Sequence, residues 1–280
     1  MQVQVIDGRA EGIPISLSRW TDVPAAKWGW FMAQMAQGYT IAFDPRTAVP
    51  GRWSLKAETT LGMVWWTKNP EPLIREYRMF AGHNMKVHVT ITGWEEVERG
   101  APKTEDSAEM ACRAAELYGK ENVTWRFSPV PLVEDAVRRF ERIAKIVGPS
   151  GINRTYLSFL QTNDRVSETR SREDRLQLLV DFATIGEAYG IKVLLCNEDR
   201  LLAKVSGLPT NLGSGVCQAP EDFSLLGYNM PPSEGCGCVL MADPFTINES
   251  CTLGCTYCYA SDKSLSDKKR NTTRSLPVVR

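Results

Sequence analysis

Cys251, Cys255 and Cys258 stand at C-x3-C-x2-C spacing in the stretch ESCTLGCTYCYA. Thiolates this close together are suited to holding metal. A four-iron iron–sulfur cluster normally takes four thiolates. Three on one tight loop hold three irons and leave the fourth open to another ligand. Gly254, just before Cys255, permits close backbone approach, and Tyr257 places an aromatic ring before the third cysteine. The competing reading is a zinc knuckle, for which Cys236 or Cys238 of GCGC is a candidate fourth ligand. Ferredoxin-like electron transfer would need a fourth cysteine nearby.

Other residues could also do chemistry. Cys217, Cys236 and Cys238 are candidates for a second metal site, for the lining of a cluster pocket, or for plain packing. Cys236 and Cys238 are two apart, so in an extended segment they face the same side. Cys196 ends an apolar run and reads as a core thiol; Cys112 lies among alanines on a helix and reads as structural. His83 and His88 are the two histidines of the chain, which excludes a His-rich metal site. His88 reads as a barrel-lining group and His83 as a turn cap. Arg126, inside the β-rich VTWRFSP, is costly unless an anion pairs with it. Arg126, Glu198 and Cys217 are the catalytic candidates; Arg19, Asn69, Arg126 and Tyr257 are the candidate cofactor contacts.

These residues need elements to position them. Strands are expected at 13–18, 39–43, 62–66, 86–91, 122–127, 155–159 and 192–196, with room for another near 239–242. Helices are expected at 24–37, 70–80, 104–118, 133–146 and 172–189. Pro24 and Pro70 suit a first helical turn, and Gly38, Gly119, Gly148 and Gly190 follow helical runs as C-caps do. Repeated strand–helix alternation means an α/β protein with a parallel sheet. The expected fold is a complete or partial (β/α) barrel over residues 1–260, with a doubly wound open sheet as the other possibility. Residues 207–235, rich in Gly, Pro, Ser and Asn, read as loops around a short helix. In a barrel the site lies at the C-terminal ends of the strands.

The whole chain narrows the class. Its 280 residues suit one α/β barrel, and a hydrophobic content of 43% suffices for a large core. Charges balance at 33 basic and 33 acidic, so composition gives no global drive toward nucleic acid or membrane. The N-terminus shows no basic region followed by an apolar run, and no apolar stretch approaches the ~20 residues of a membrane span. A cytosolic location is expected, where cysteines serve metal or catalysis before disulfides. Residues 261–280 form a basic tail, read as solvated or as a phosphate contact for nucleic acid. Trp20, Trp28, Trp30, Trp65, Trp66, Trp94 and Trp125 read mostly as packing, with base stacking as the alternative.

The segments ISLSRWTDVPA, VWWTKNPEPL, HVTITGW, VTWRFSPVP, YLSFLQT, SGVCQAPEDF and EGCGC…ESCTLGCTYCYA occur in this order. Together they resemble a largely uncharacterised bacterial and phage family with a radical S-adenosylmethionine (SAM)-like cysteine cluster at its C-terminus. The resemblance implies a radical SAM type of barrel with its cluster loop at the chain end, where Cys251, Cys255 and Cys258 hold a 4Fe-4S cluster whose open iron binds SAM. It implies a one-electron donor, a reductase or flavodoxin-type protein. Relatives of this kind act on modified thymines or transfer the 3-amino-3-carboxypropyl group of SAM. The expected substrate is therefore a nucleobase such as an amino-acid-modified thymidine, isomerised in phage DNA modification, with aminocarboxypropyl transfer as the alternative. A non-catalytic zinc or iron–sulfur nucleic-acid-binding module is the reading from another class. One departure is QAPEDF after Cys217, where the family is more acidic.

Overall fold

The computed structural model describes residues 4–6, 13–18, 21–45, 50–160, 168–196, 198–203, 206–225, 236–244 and 251–258. Seven parallel strands form one sheet in chain order: β2 (Ile15–Ser16), β5 (Met63–Thr67), β6 (Met85–Thr90), β7 (Val123–Phe127), β8 (Arg154–Leu157), β9 (Lys192–Leu195) and β10 (Leu212–Ser214). Its two edges meet across residues 239–242. The Val239 amide donates to the Gln218 carbonyl beyond β10, at 3.0 Å. On the other side Ala242 bridges Ile15 in parallel, with Ser16 N donating to Ala242 O at 2.9 Å and Ala242 N to Pro14 O at 3.0 Å. The extended segment thus takes the place of an eighth strand and closes a barrel, where the sequence left room for one.

A second sheet runs in the order β1 (Gln4–Ile6), β4 (Pro50–Ser54), β3 (Tyr39–Phe43), β11 (Asp243–Pro244). This corrects the assignment of residues 39–43 to the barrel. β3 pairs antiparallel with β4 and with β11. The connection from β3 to β4 is too short for the crossover that parallel strands require.

Side chains alternate faces along each strand, and here the two faces differ in chemistry. One row across the strands holds Val89, Trp125, Thr155 and Val193, and a parallel row holds Phe127, Leu157 and Leu195. These pack outward in the main core with helices α4 (Thr104–Tyr118), α5 (Ala136–Val147) and α6 (Arg172–Ala188). Phe140 of α5 meets Trp125 at 4.7 Å between ring centroids, and Phe182 of α6 lies 4.7 Å from Phe140. The rows facing the other way hold Trp66, His88 and Thr124, then Thr90, Arg126, Tyr156 and Leu194. The barrel interior is therefore lined largely by polar groups, where branched apolar side chains are usual.

The remaining helices depart from the expected ones in instructive ways. Residues 24–37 make two helices, α1 (Val23–Ala26) and α2 (Trp28–Gln37), broken at Lys27 with φ −138°. Asp22 is the cause: its carboxylate caps Ala25 N at 3.1 Å and also accepts from Thr67 Oγ1 at 2.7 Å and Lys68 N at 2.6 Å. α1 is thereby tied to the exit of β5, and α2 restarts to bury Phe31 edge-on against Trp65, 4.8 Å between centroids. Residues 70–80 divide into α3 (Glu71–Arg75) and a 3-10 turn, Tyr77–Phe80. The region 207–235 holds the expected short helix as a 3-10 turn, Pro220–Phe223, but also β10. The short α7 (Asp199–Leu202) was not foreseen. Among the described residues no helix is long and apolar enough to cross a membrane.

Candidate functional site

Cys251, Cys255 and Cys258 sit on a loop pressed against residues 92–100, which follow β6. Gly100 N donates to Leu253 O at 2.9 Å, and Thr256 N donates to Val97 O at 3.1 Å. A Cβ on Gly100 would lie 2.6 Å from the Thr252 carbonyl, so the close approach demands glycine. Gly254 turns the loop with φ +61°, a conformation that glycine adopts without steric cost.

Glu98 is the hub of this seat. Its Oε1 accepts from Thr92 Oγ1 at 2.5 Å, pairs with Lys68 Nζ at 2.9 Å and accepts from the Tyr257 hydroxyl. Tyr257 stacks on Trp94, with centroids 5.5 Å apart and planes 11° apart. The Lys68 ammonium lies 5.8 Å from the Tyr257 ring centre. Thr67 and Lys68 end β5 and Thr92 follows β6, so the loop lies at the C-terminal end of the barrel.

Two of these thiols are shifted toward their protonated forms. Burial raises Cys255 to about 12, with the Lys68 charge opposing it. Burial also raises Cys251, although the Asp22 amide donates to its sulfur. Asp22 is itself raised to about 6 by burial against its three hydrogen bonds. Metal binding would have to displace the thiol protons. Among the described residues no three His, Cys, Asp or Glu side chains are placed as ligands of one metal ion. A four-iron cluster takes each thiolate on a different iron, so its ligands need not converge on one point. The donor set, three cysteines outside any disulfide on one glycine-turned loop, fits such a cluster.

A second cysteine group lies inside the barrel. Cys217 Sγ is 3.4 Å from Cys238 Sγ. Cys196, one residue past β9, donates to Cys217, and Cys238 also interacts with Cys236. Hydrogen bonds from Cys196 and Cys238, with the Arg126 charge, hold the Cys217 thiol well below its ordinary range. The same contact pushes Cys196 and Cys238 up. Burial works against the Arg126 charge, but the sulfurs of Cys217 and Cys196 more than offset it. The groups that offset the burial of Arg126 are therefore cysteine sulfurs.

Below this group His88 is buried and stacks on Trp66, centroids 5.7 Å apart. Its Nε2 meets the Gln218 side chain, and burial lowers the imidazole to about 3. Tyr156 donates its hydroxyl to Val216 O at 2.8 Å.

The sequence readings fare unevenly here. Cys217, Cys236 and Cys238 do come together, but with Cys196, which had been read as a core thiol. The signal for Cys196 was alternation, since it lies two beyond inward-facing Leu194. As a second metal site the group has no three ligands around one ion among the described residues. Asn69 turns out to be a cap: its side-chain oxygen accepts from Glu71 N at 3.2 Å. Glu198 accepts from Phe159 N at 2.6 Å, tying α7 to the exit of β8, and burial raises its carboxyl. Arg19, Trp20 and the tail 261–280 lie outside the described residues. Trp65 and Trp125 are fully buried in the outer core, which removes them as stacking surfaces for a base. His83 bonds Leu55 O at 2.8 Å, as a turn cap would. An open cavity of about 430 Å³, lined by Tyr77, His83, Asn84 and Asn122, precedes β6 and β7 and so lies at the opposite end of the barrel. Asp22 and Lys68 lie among the polar residues at strand exits, each readable as site or ordinary loop; Glu98 and Cys196 escaped notice as site residues.

Fold and site together define a closed (β/α) barrel with one thiol loop at its mouth and a second thiol group inside. The chain belongs to the family described as a domain of unknown function (DUF1848), whose model matches residues 14–260 and so takes in both groups. Among solved structures, D-psicose 3-epimerase with D-tagatose from Clostridium cellulolyticum H10 is similar over 94% of this chain and 97% of its own, at 14% identity and a TM-score of 0.39. The barrel assignment rests on the strand pairing above rather than on that likeness. A search of curated proteins returned no match.

Proposed function

We propose that the protein is a radical SAM enzyme whose 4Fe-4S cluster is held by Cys251, Cys255 and Cys258. The observation that carries this reading is the seating of a three-cysteine loop at the C-terminal mouth of a barrel by one buried glutamate, Glu98. When bound, the reduced cluster would supply one electron to the sulfonium of SAM and so break a carbon–sulfur bond. The chain's own residues do the rest. Glu98 fixes Tyr257, and Trp94 covers one face of that ring. Lys68 places positive charge beside Cys255, where thiolate charge has to be carried. A reductase or flavodoxin-type protein would deliver the electron.

For the substrate we infer a small molecule or nucleotide admitted at the barrel mouth, with an amino-acid-modified thymidine as the first to try. That choice rests on the resemblance in the sequence, since the buried tryptophans lend it nothing. Aminocarboxypropyl transfer is separated from it by product: 5′-deoxyadenosine marks the first route and methylthioadenosine the second. The test is anaerobic reconstitution with iron, sulfide, dithionite and SAM. A brown cluster spectrum and cleavage of SAM are expected. Tight zinc, no cluster absorbance and intact SAM would sink the reading in favour of a metal-binding module.

A further inference from the structure

We propose that Cys217 and Cys238 form a redox-active dithiol inside the barrel, which exchanges with small disulfides and closes to an intramolecular disulfide. The geometry carries it. The two sulfurs already lie 3.4 Å apart. The Val239 amide donates to the Gln218 carbonyl at 3.0 Å, so the residues following the two cysteines are lashed together. Two glycines make the approach possible. A Cβ on Gly237 would lie 2.7 Å from Val216 Cγ2, and one on Gly215 would lie 2.6 Å from the Tyr156 ring. These neighbours of Cys217 and Cys238 leave no room for a side chain, which explains SGVC and GCGC without any metal.

The two sulfurs differ in the way that thiol–disulfide exchange requires. Cys217 is partly exposed, while Cys238 is buried. Cys217 accepts from Cys196 and Cys238 and faces Arg126, so negative charge is stabilised there. Cys217 attacks one sulfur of the small disulfide, whose S–S bond breaks, and the departing thiolate takes a proton from solvent. Cys238 then releases its proton to solvent and attacks Cys217 Sγ, expelling the second small thiol. Two electrons pass from the protein to the disulfide, which leaves as two thiols. Cys196 and Arg126 are positioning residues in this step. The proposal does not depend on a cluster at Cys251, Cys255 and Cys258, because those residues take no part in the exchange.

The test treats reduced full-length protein with oxidised glutathione, followed by non-reducing peptide mapping. A Cys217–Cys238 bridge is expected. Cys238→Ser should stop at a glutathione adduct on Cys217, and Cys217→Ser should give neither product. In untreated wild-type protein at pH 6, iodoacetamide should label Cys217 about tenfold faster or more than Cys112, whose thiol is raised by burial. A bridge to Cys196 or Cys236 instead, no bridge at all, or equal labelling of Cys217 and Cys112 would overturn the proposal. So would zinc held by these four cysteines in a Cys251→Ala/Cys255→Ala/Cys258→Ala variant. The wild-type mapping and labelling decide the matter even if a single variant fails to fold.

Discussion

The two cysteine groups are built in opposite ways. Cys251, Cys255 and Cys258 lie within one short loop, and the loop touches the barrel through backbone hydrogen bonds and one glutamate. Cys196, Cys217, Cys236 and Cys238 come from three separate stretches and meet only because the barrel closes around them. The first group is local in sequence and peripheral in structure; the second is scattered in sequence and central in structure. The difference teaches that the mouth can be altered chemically at little mechanical cost, while the interior cannot.

The largest effect should separate the groups outright. Under the proposed function, Cys251→Ala, Cys255→Ala or Cys258→Ala should abolish SAM cleavage, yet shift unfolding free energy by less than about 1 kcal/mol, as changes away from the core usually do. Loss of the fold in urea titrations of these variants would erase the contrast.

A second test reads the interior through pH. His88 is lowered to about 3 in the folded protein, against 6.5 in the unfolded chain. The unfolded state therefore binds the extra proton between those values. Stability from neutral His88 is full above 6.5 and is lost as pH falls toward 3, by up to about 5 kcal/mol. His88→Phe, which keeps a ring against Trp66, should flatten urea midpoints over that window. An unchanged acid slope in the variant would show that the interior is wetter than described.

Asp22 should give the opposite sign at the mouth. Its folded value of about 6 lies above the ordinary 3.8. Its contribution is full below 3.8 and is lost as pH rises through 6, by about 3 kcal/mol at most. Asp22→Asn should remove that trend while leaving the His88 slope intact, and urea midpoints from pH 4 to 7 measure both. The smallest effect belongs to the glycines of the interior. Gly237→Ala should cost about 1–3 kcal/mol through overpacking against Val216. The same change at half-buried Gly213, whose Cβ would meet nothing within 4 Å, should cost less than about 1 kcal/mol. Equal thermal shifts in the two variants would contradict the close approach.

Legibility in the sequence followed the same division. The helix at residues 104–118 was readable to the residue because its apolar spacing and flanking Gly119 are local signals. The cysteine loop was readable for the same reason. β10 was not, because LGS has no β-branched or aromatic residue and becomes a strand only through its pairing with β9. Residues 39–43 had strand composition, but composition does not say which sheet a strand joins. Glu98 gave no signal because its partner Lys68, readable only as a polar strand exit, stands 30 residues away along the chain and meets it only across the barrel mouth. Arg126 was recognised as needing an anion, but cysteine sulfurs were not among the partners considered.

The segment 239–242 has a consequence for how the protein is made. Ala242 completes the barrel beside β2, and the next two residues, β11, pair with β3 in the other sheet. Both sheets thus wait for the same few residues, which follow all their other strands along the chain. Until the ribosome releases them, the nascent chain holds an open sheet whose edges β2 and β10 are unpaired, a state exposed to misassociation. The cysteine loop follows directly behind. Its thiols therefore reach their seat only as the barrel shuts.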